Sequence, residues 1–358
     1  MEPIENLDAA IQRRRQMRIR RRRRLYLRRA LLLLACAALL ALLVATPIWI
    51  VNGIRGRLSR AEDADTAPRT STTQTTTPTA TKPAFPAVDA STLWLGSEVH
   101  SEYAVLLDIT EGRVVAAKNP ATQANPASIT KVMTLLVAVE NIEDLDAEYT
   151  LPWQITTHIE SDATVAGFNA GDVMTLRDLL YGCILPSGAD AAVALAHYVV
   201  GDRAETVAEA EALFADMMNE RARELGAQNT HFVNTSGLHN SAHKTTAMDM
   251  ALIMAAAIQN ETCRAVLSAD RYSSEATVKL SEQQLAGGEW RSTLFCSWLG
   301  ADRYGILAGK TGYTDQALHT MVSYTEIGGH KYVFASMRAN GSDKAVQDAR
   351  YIYQTYCQ

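Results

Sequence analysis

Pro126-Ala-Ser-Ile-Thr-Lys-Val-Met-Thr134 decides how the second half of this chain is read. Ser128 and Lys131 stand three apart, and Val132, Leu135, Leu136 and Val139 recur at helical spacing, so the stretch predicts a buried helix from Ser128 to about Glu140. Residues three apart share a helix face, which brings the lysine amine within reach of the serine hydroxyl. An alcohol is a poor nucleophile until a positioned base takes its proton. Lys131 can be that base if its pKa falls by roughly 3 units from about 10.4, through burial and a second nearby cation. Two further patterns follow in order, Ser187-Gly-Ala189 and Lys310-Thr-Gly312. Lys310 supplies the second cation, and Gly312 permits close approach of another backbone or a ligand. An edge strand at Lys310 can pair with an extended peptide. Ser-x-x-Lys alone carries little: its second copy, Ser241-Ala-His-Lys244, lies in a loop-like stretch.

Working outward, Tyr103-Ala-Val-Leu-Leu-Asp108 and Arg113-Val-Val-Ala-Ala117 read as strands joined at a Glu111-Gly112 turn. Thr175 is a candidate N-cap with Asp178 in the capping-box position. Helices are expected over 190–200, 204–225 and 246–257, the second ending at Gly226. Strands are expected at 304–308, 319–325 and 331–337, with Gly328-Gly329 as a hairpin turn and a closing helix over 342–356. Strands at both ends with helices between them predict an α+β domain, one sheet completed by both termini plus a helical lobe.

The 358 residues are 47% hydrophobic and 20% charged, a globular composition with a net charge of -5. The charge is asymmetric. Residues 1–57 hold thirteen Arg and three acidic residues, leaving 21 of the 34 basic and 36 of the 39 acidic residues to the remainder. An acidic body lacks the Lys and Arg surplus that nucleic-acid binding rests on. The arginines instead flank Ala30–Ile54, which carries no charge and exceeds the roughly 20 apolar residues that span a bilayer. Arginine on the N-terminal side keeps that side cytoplasmic. The expected organisation is a basic cytoplasmic tail (1–29), a transmembrane helix (30–54), a Thr/Pro-rich linker (55–90) and a catalytic domain (91–358) outside the cytoplasm of a single-pass cell-membrane protein. A cleaved signal peptide is the rival reading, but its apolar core is usually about 7–15 residues. The cysteines show no CxxC spacing, and Cys183 reads as a small apolar core residue.

The segment 126–134 resembles the nucleophile motif of the low-molecular-mass penicillin-binding proteins, the serine D-alanyl-D-alanine carboxypeptidases of peptidase family S11. Leu185-Pro-Ser-Gly-Ala-Asp-Ala-Ala192, Phe232-Val-Asn-Thr-Ser-Gly-Leu-His239, Thr245-Thr-Ala-Met-Asp-Met-Ala251 and Gly309-Lys-Thr-Gly-Tyr-Thr314 extend the resemblance over about residues 95–357. The resemblance implies a serine β-lactamase/transpeptidase-like fold, with an antiparallel sheet flanked by helices. It implies that Ser128 attacks the bond between the two terminal D-alanines of a peptidoglycan stem peptide, with Lys131 as general base and Ser187 relaying a proton to the leaving amine. Lys310 and Thr311 would hold the terminal carboxylate, with Arg338 a second candidate. Gly312 lies in the same strand, and the backbone N–H groups of Ser128 and Tyr313 would form the oxyanion hole. β-Lactams would acylate Ser128, with no cofactor and no metal.

The middle motif departs from the family pattern Ser-x-Asn: Ala189 stands where an amide is usual. Asn125 and Asn169 are candidates to replace it. The chain also ends soon after its last helix, so the N-terminal segment is expected to do the anchoring. Other readings are a zinc site on His239 and His243, a β-lactamase, a cross-link endopeptidase, and a non-catalytic β-lactam sensor, the last prompted by Ala189.

Overall fold

The computed structural model describes residues 86–274, 289–299 and 303–357. The basic tail, the expected transmembrane helix and nearly all of the linker lie outside the described residues, among which no helix is long and apolar enough to cross a membrane.

The elements run β1 (Leu93–Trp94), β2 (Tyr103–Asp108), β3 (Arg113–Lys118), a 3₁₀ turn (Ala127–Thr130) and α1 (Lys131–Asn141). Then come β4 (Glu148–Thr150), α2 (Trp153–His158), β5 (Val173–Thr175), α3 (Leu176–Ile184), α4 (Ala189–Val200), α5 (Val207–Glu224), α6 (Ala247–Gln259) and α7 (Glu261–Ser268). The chain closes with β6 (Arg271–Tyr272), β7 (Trp290–Arg291), a π-helical segment (Thr293–Leu299), β8 (Ala308–Thr314), β9 (Leu318–Ile327), β10 (His330–Ala339) and α8 (Ser342–Tyr356).

The principal sheet has the order β1-β3-β2-β10-β9-β8. The first and last parts of the domain meet where Val105 of β2 pairs with Ala335 of β10, so one sheet is indeed built from both ends. It is mixed rather than wholly antiparallel. The loop after β1 turns the chain back into β2 on the far side of β3, which leaves β1 parallel to β3. Both faces of the sheet are buried. Val105 and Leu107 face the helical lobe with Val333, Ala335 and Met337, while Ala104 and Leu106 face α8 with Phe334 and Tyr353. Alternate residues of one strand thus enter two cores, which is why β2 reads as a continuous apolar run.

Helix α1 is the axis of the lobe. Residues Lys131–Ala138 are all buried, as expected of a helix apolar on every side, and α3 to α7 pack around it. Thr175 caps α3 in a full capping box with Asp178. The expected strand at 304–308 is a correction: Tyr304 (φ 49°) and Gly305 (φ 80°) turn the chain, and pairing begins only at Ala308. The Gly328-Gly329 hairpin stands, both glycines having positive φ.

Helix α8 is tied to the entry of β2 by one carboxylate. Asp348 is fully buried and accepts the N–H groups of His100 (2.7 Å) and Ser101 (2.8 Å) and the Ser101 hydroxyl (2.6 Å). A buried donor left unpaired costs about 1–3 kcal/mol. Asp348→Ala is therefore expected to lower stability by about 3 kcal/mol or more, read from the unfolding midpoint in guanidinium against the wild type.

Candidate active site

The 3₁₀ turn presents the nucleophile. Ala127 is buried with φ 52°, a left-handed conformation, and Thr320 of β9 donates to the carbonyl of Pro126 at 2.8 Å. Ser128 is then half-buried one turn before Lys131, whose Nζ donates to Ser128 Oγ at 3.1 Å. A second bond holds the amine: Nζ donates to the carbonyl of Ser236 at 2.6 Å. The predicted helix thus begins with a tighter turn, and the serine and lysine meet as their spacing implies.

Both lysines of the site are buried, Lys131 at 2% exposed and Lys310 at 1%. Burial pushes Lys131 down to about 8, against the carboxylates of Asp190 and Glu211, which favour its charged form. Burial and then the charge of Lys131 push Lys310 down to about 7. At pH 7, one unit below that value, about a tenth of the Lys131 amine is therefore neutral and able to accept a proton.

Strand β8 closes the site on the other side. A Cβ on Gly312 would lie 2.7 Å from the Ser128 nitrogen and 2.6 Å from Thr320 Oγ1. Only glycine lets the strand approach the amide of the nucleophile so closely. Gly237 is constrained in the same way on the opposite wall, with φ 84° and room for a Cβ only 1.9 Å from the Ala127 carbonyl oxygen. Between these walls lies a cavity of about 320 Å³, lined by Ser128, Lys131, Ala189, residues 236–239, residues 313–316 and the segment around Glu160 and Thr164. A larger cavity of about 630 Å³, lined by Leu107, Leu136, Leu225 and Leu252, contains none of the predicted site residues.

The remaining predicted residues fall in four positions. Ser187 is 6% exposed with φ 68°, and its Oγ is buried with no partner among the described residues, a strained, polar position of the kind found at active sites. Lys310 and Thr311 stand behind the cavity wall. Lys310 Nζ donates to the Thr311 carbonyl at 2.8 Å, and Thr311 Oγ1 bonds Thr293 Oγ1 at 2.8 Å. Tyr313 is 53% exposed and lines the cavity. Arg338 does not line it. It sits at an irregularity of β10 with φ 61°, pairs with Glu102 at 2.9 Å, and reaches the site only by donating to the carbonyl of Gln316 at 3.0 Å.

Neither candidate replaces the amide absent at Ala189. Asn125 donates to the carbonyls of Asn240 and His243 and accepts from Lys244. Asn169 bonds Gly167 and Asp172. Ala189 itself is buried, and its N–H donates to the Thr164 carbonyl at 2.8 Å. His243 is also spent on structure. The Val233 N–H donates to Nδ1 (3.1 Å), so Nε2 carries the proton and donates to Thr130 Oγ1 (2.9 Å). Burial drives its pKa down to about 3. The zinc reading required the same nitrogens. Cys183 is a free, buried thiol, as its apolar neighbours imply.

Sequence reasoning missed two carboxylates that shape the site. Asp190 accepts the N–H groups of Ala166 (2.7 Å), Gly167 (2.9 Å) and Phe168 (3.0 Å), fixing the wall segment. Glu211 bonds Thr235. Both act through backbone groups far along the chain, which no spacing reveals.

The family model described as D-alanyl-D-alanine carboxypeptidase, peptidase S11, matches residues 88–341. The chain belongs to this family. The D-alanyl-D-alanine carboxypeptidase of Streptomyces sp. strain K15 is 31% identical over 236 residues, covering 64% of this chain and 78% of that protein. DacD of Escherichia coli K12 is 28% identical over 260 residues, 71% of this chain and 62% of that protein. Among solved structures, the Streptomyces K15 DD-transpeptidase superposes with a TM-score of 0.64 at 27% identity, covering 72% of this chain and 96% of that one. The carboxypeptidase fold so matched is the α+β penicillin-binding type, its sheet mixed by the parallel strand β1.

The buried lysines have a consequence for stability. Unfolded lysine keeps its proton to about 10.4, whereas Lys131 releases its proton near 8 in the fold. Between those values the unfolded chain binds more protons, so this contribution to stability rises with pH from about 8 to about 10. Lys131→Met is expected to remove up to about 3 kcal/mol of that rise, measured as the difference in unfolding free energy between pH 7 and pH 10.

Proposed function

We propose that this carboxypeptidase removes the terminal D-alanine from peptidoglycan stem pentapeptides through an acyl-enzyme on Ser128. The observation that carries the reading is the 3.1 Å contact between Ser128 Oγ and a Lys131 amine whose burial keeps it partly neutral. Lys131 takes the hydroxyl proton as Oγ bonds to the carbonyl carbon of the penultimate D-alanine. The developing oxyanion would meet the N–H groups of Ser128 and Tyr313, a reading supported by the close approach of Gly312 to the Ser128 nitrogen. Losing one such donor typically costs about 2.7–4 kcal/mol. The C–N bond breaks, and the leaving amine receives the proton by way of Ser187. Water then attacks the ester with Lys131 again as base, and the shortened peptide departs.

The stem peptide would lie along β8, an edge strand whose one partner in the principal sheet is β9. Lys310 acts from behind the wall. A carboxylate arriving near it favours the proton on Lys310, which leaves Lys131 neutral when the substrate is in place. Arg338 supports this edge through Gln316. β-Lactams would enter as substrate mimics and acylate Ser128. The basic tail and the uncharged residues 30–54 would hold the chain in the cell membrane with this domain outside the cytoplasm.

A second reading is favoured by the similarity to a solved DD-transpeptidase: an amine takes the place of water as acceptor. The test is D-alanine release by the full chain from a pentapeptide ending in D-Ala-D-Ala, with and without glycine as acceptor. Release that is abolished in Ser128→Ala, with the tetrapeptide as main product, is expected. A glycine-capped product in excess assigns the transpeptidase. No release from folded wild type sinks both and leaves the endopeptidase or the β-lactam sensor.

A further inference from the structure

The amine of Lys131 is aimed by a backbone carbonyl, and that carbonyl belongs to a loop with no regular structure of its own. Residues 236–239 form one wall of the cavity. The loop is pinned from behind by α5 at two points. Asn219 accepts the Phe232 N–H (2.7 Å) and donates to the Phe232 carbonyl (2.8 Å). Two turns earlier, Glu211 Oε1 accepts both the N–H (3.0 Å) and the hydroxyl (2.8 Å) of Thr235. Its other oxygen, Oε2, accepts from His158 Nε2 of α2 at 2.9 Å. The Thr235 carbonyl in turn accepts from Thr134 of α1 at 2.7 Å, and the next carbonyl, that of Ser236, accepts from Lys131. The Glu211 side chain is 14% exposed, too enclosed to be a solvated surface charge that happens to lie nearby.

We propose that Glu211 is a positioning residue for the base: by holding Thr235 it fixes the Ser236 carbonyl that points the Lys131 amine at Ser128. The proposal rests on the reading of Lys131 as base. Glu211 acts in a second way, as a negative charge that favours the protonated amine. The other titratable or charged groups facing Lys131 are Cys183 of α3, Asp190 of α4, Lys310 of β8 and His243 before α6. Asp190 works in the same sense as Glu211 and Lys310 in the opposite sense. Position and charge are separable by substitution. Glu211→Gln loses the charge and also loosens the hold on the loop, because its amide offers one acceptor and one donor where the carboxylate accepts from both Thr235 and His158. Glu211→Asp keeps the charge and shortens the reach. Thr235→Val leaves the carboxylate and removes one of its two donors on the loop.

The experiment uses the full chain with benzylpenicillin as the acylating probe, and reads the ionisation of Lys131 separately from the 13Cε shift of labelled lysine. In Glu211→Gln the high-pH plateau of the acylation rate is expected to fall about tenfold or more, since small misplacements of reacting groups are costly. The ascending limb and the NMR midpoint of Lys131 should both move to lower pH, because a favourable charge has gone. A merely structural weakening would leave that midpoint in place. In Glu211→Asp and Thr235→Val the plateau should fall while the midpoint stays. An unchanged plateau or an unchanged midpoint in folded Glu211→Gln overturns the proposal. If that variant does not fold, wild-type plateaus in the other two overturn it. Wild type that resists benzylpenicillin would instead remove the reading of Ser128 and Lys131. The midpoint would then still decide whether Glu211 acts on this amine.

Discussion

Two lysines buried on either side of one serine are the constraint around which the domain is arranged. A charged amine is costly to bury, and its usual response is to lose its proton. Lys131 and Lys310 do so in part, pushed down to about 8 and about 7. That response holds only while water stays away from the amines. Lys131 accordingly opens a helix that α3 to α7 pack around, and Lys310 sits in a strand that is buried up to the point where Tyr313 emerges. The sheet, with a core on each face, gives β8 the rigidity to remain against the serine amide, and Gly312 gives it the space.

The backbone carries much of the chemistry. The Ser236 carbonyl orients the base, the Ser128 amide faces the close approach of Gly312, and the Thr164 carbonyl accepts from Ala189. Backbone groups in loops have no intrinsic rigidity, so each of these segments is held by a buried or half-buried polar side chain: Thr320 for Pro126, Asp190 for residues 166–168, Glu211 and Asn219 for residues 232–235. A fully satisfied polar network of this kind specifies one arrangement, because leaving any member unpaired in the interior is costly. The segment beside Ala189 belongs to the same network: residues 166–168 are secured by Asp190 and by Trp290, whose Nε1 donates to the Ala166 carbonyl.

What was legible in the sequence follows from the range of the forces involved. Apolar spacing and N-cap residues act within a turn or two, so α1, the capping box at Thr175 and the closing helix over 342–356 were readable to within three residues. The Ser128–Lys131 contact was readable for the same reason. Position 304–308 misled because Ile306, Leu307 and Ala308 look like a strand, while Tyr304 and Gly305 at positive φ turn the chain away first. Helix α7, over Glu261–Ser268, and the parallel placement of β1 were not read, since short elements draw their stability from the packing around them. Arg338, a candidate carboxylate ligand by its place on the last strand, has its guanidinium bonded to Glu102, the residue just before β2, a pairing that no local pattern reveals. Asn125 and Asn169 failed as substitutes for the missing amide because nothing local shows that their hydrogen bonds are already made. Glu211 and Asp190 were invisible for the complementary reason: their partners lie more than twenty residues away.

The central claim is that a buried, partly neutral Lys131 makes Ser128 a nucleophile. It is tested most directly by incubating the full chain with benzylpenicillin and locating the adduct by intact mass and peptide mapping, for wild type and for Lys131→Ala. One adduct per chain on Ser128, formed readily in the wild type and lost or greatly slowed in Lys131→Ala, is the predicted result. An adduct on another residue, or one that forms on Ser128 at the same rate without the lysine, would contradict it.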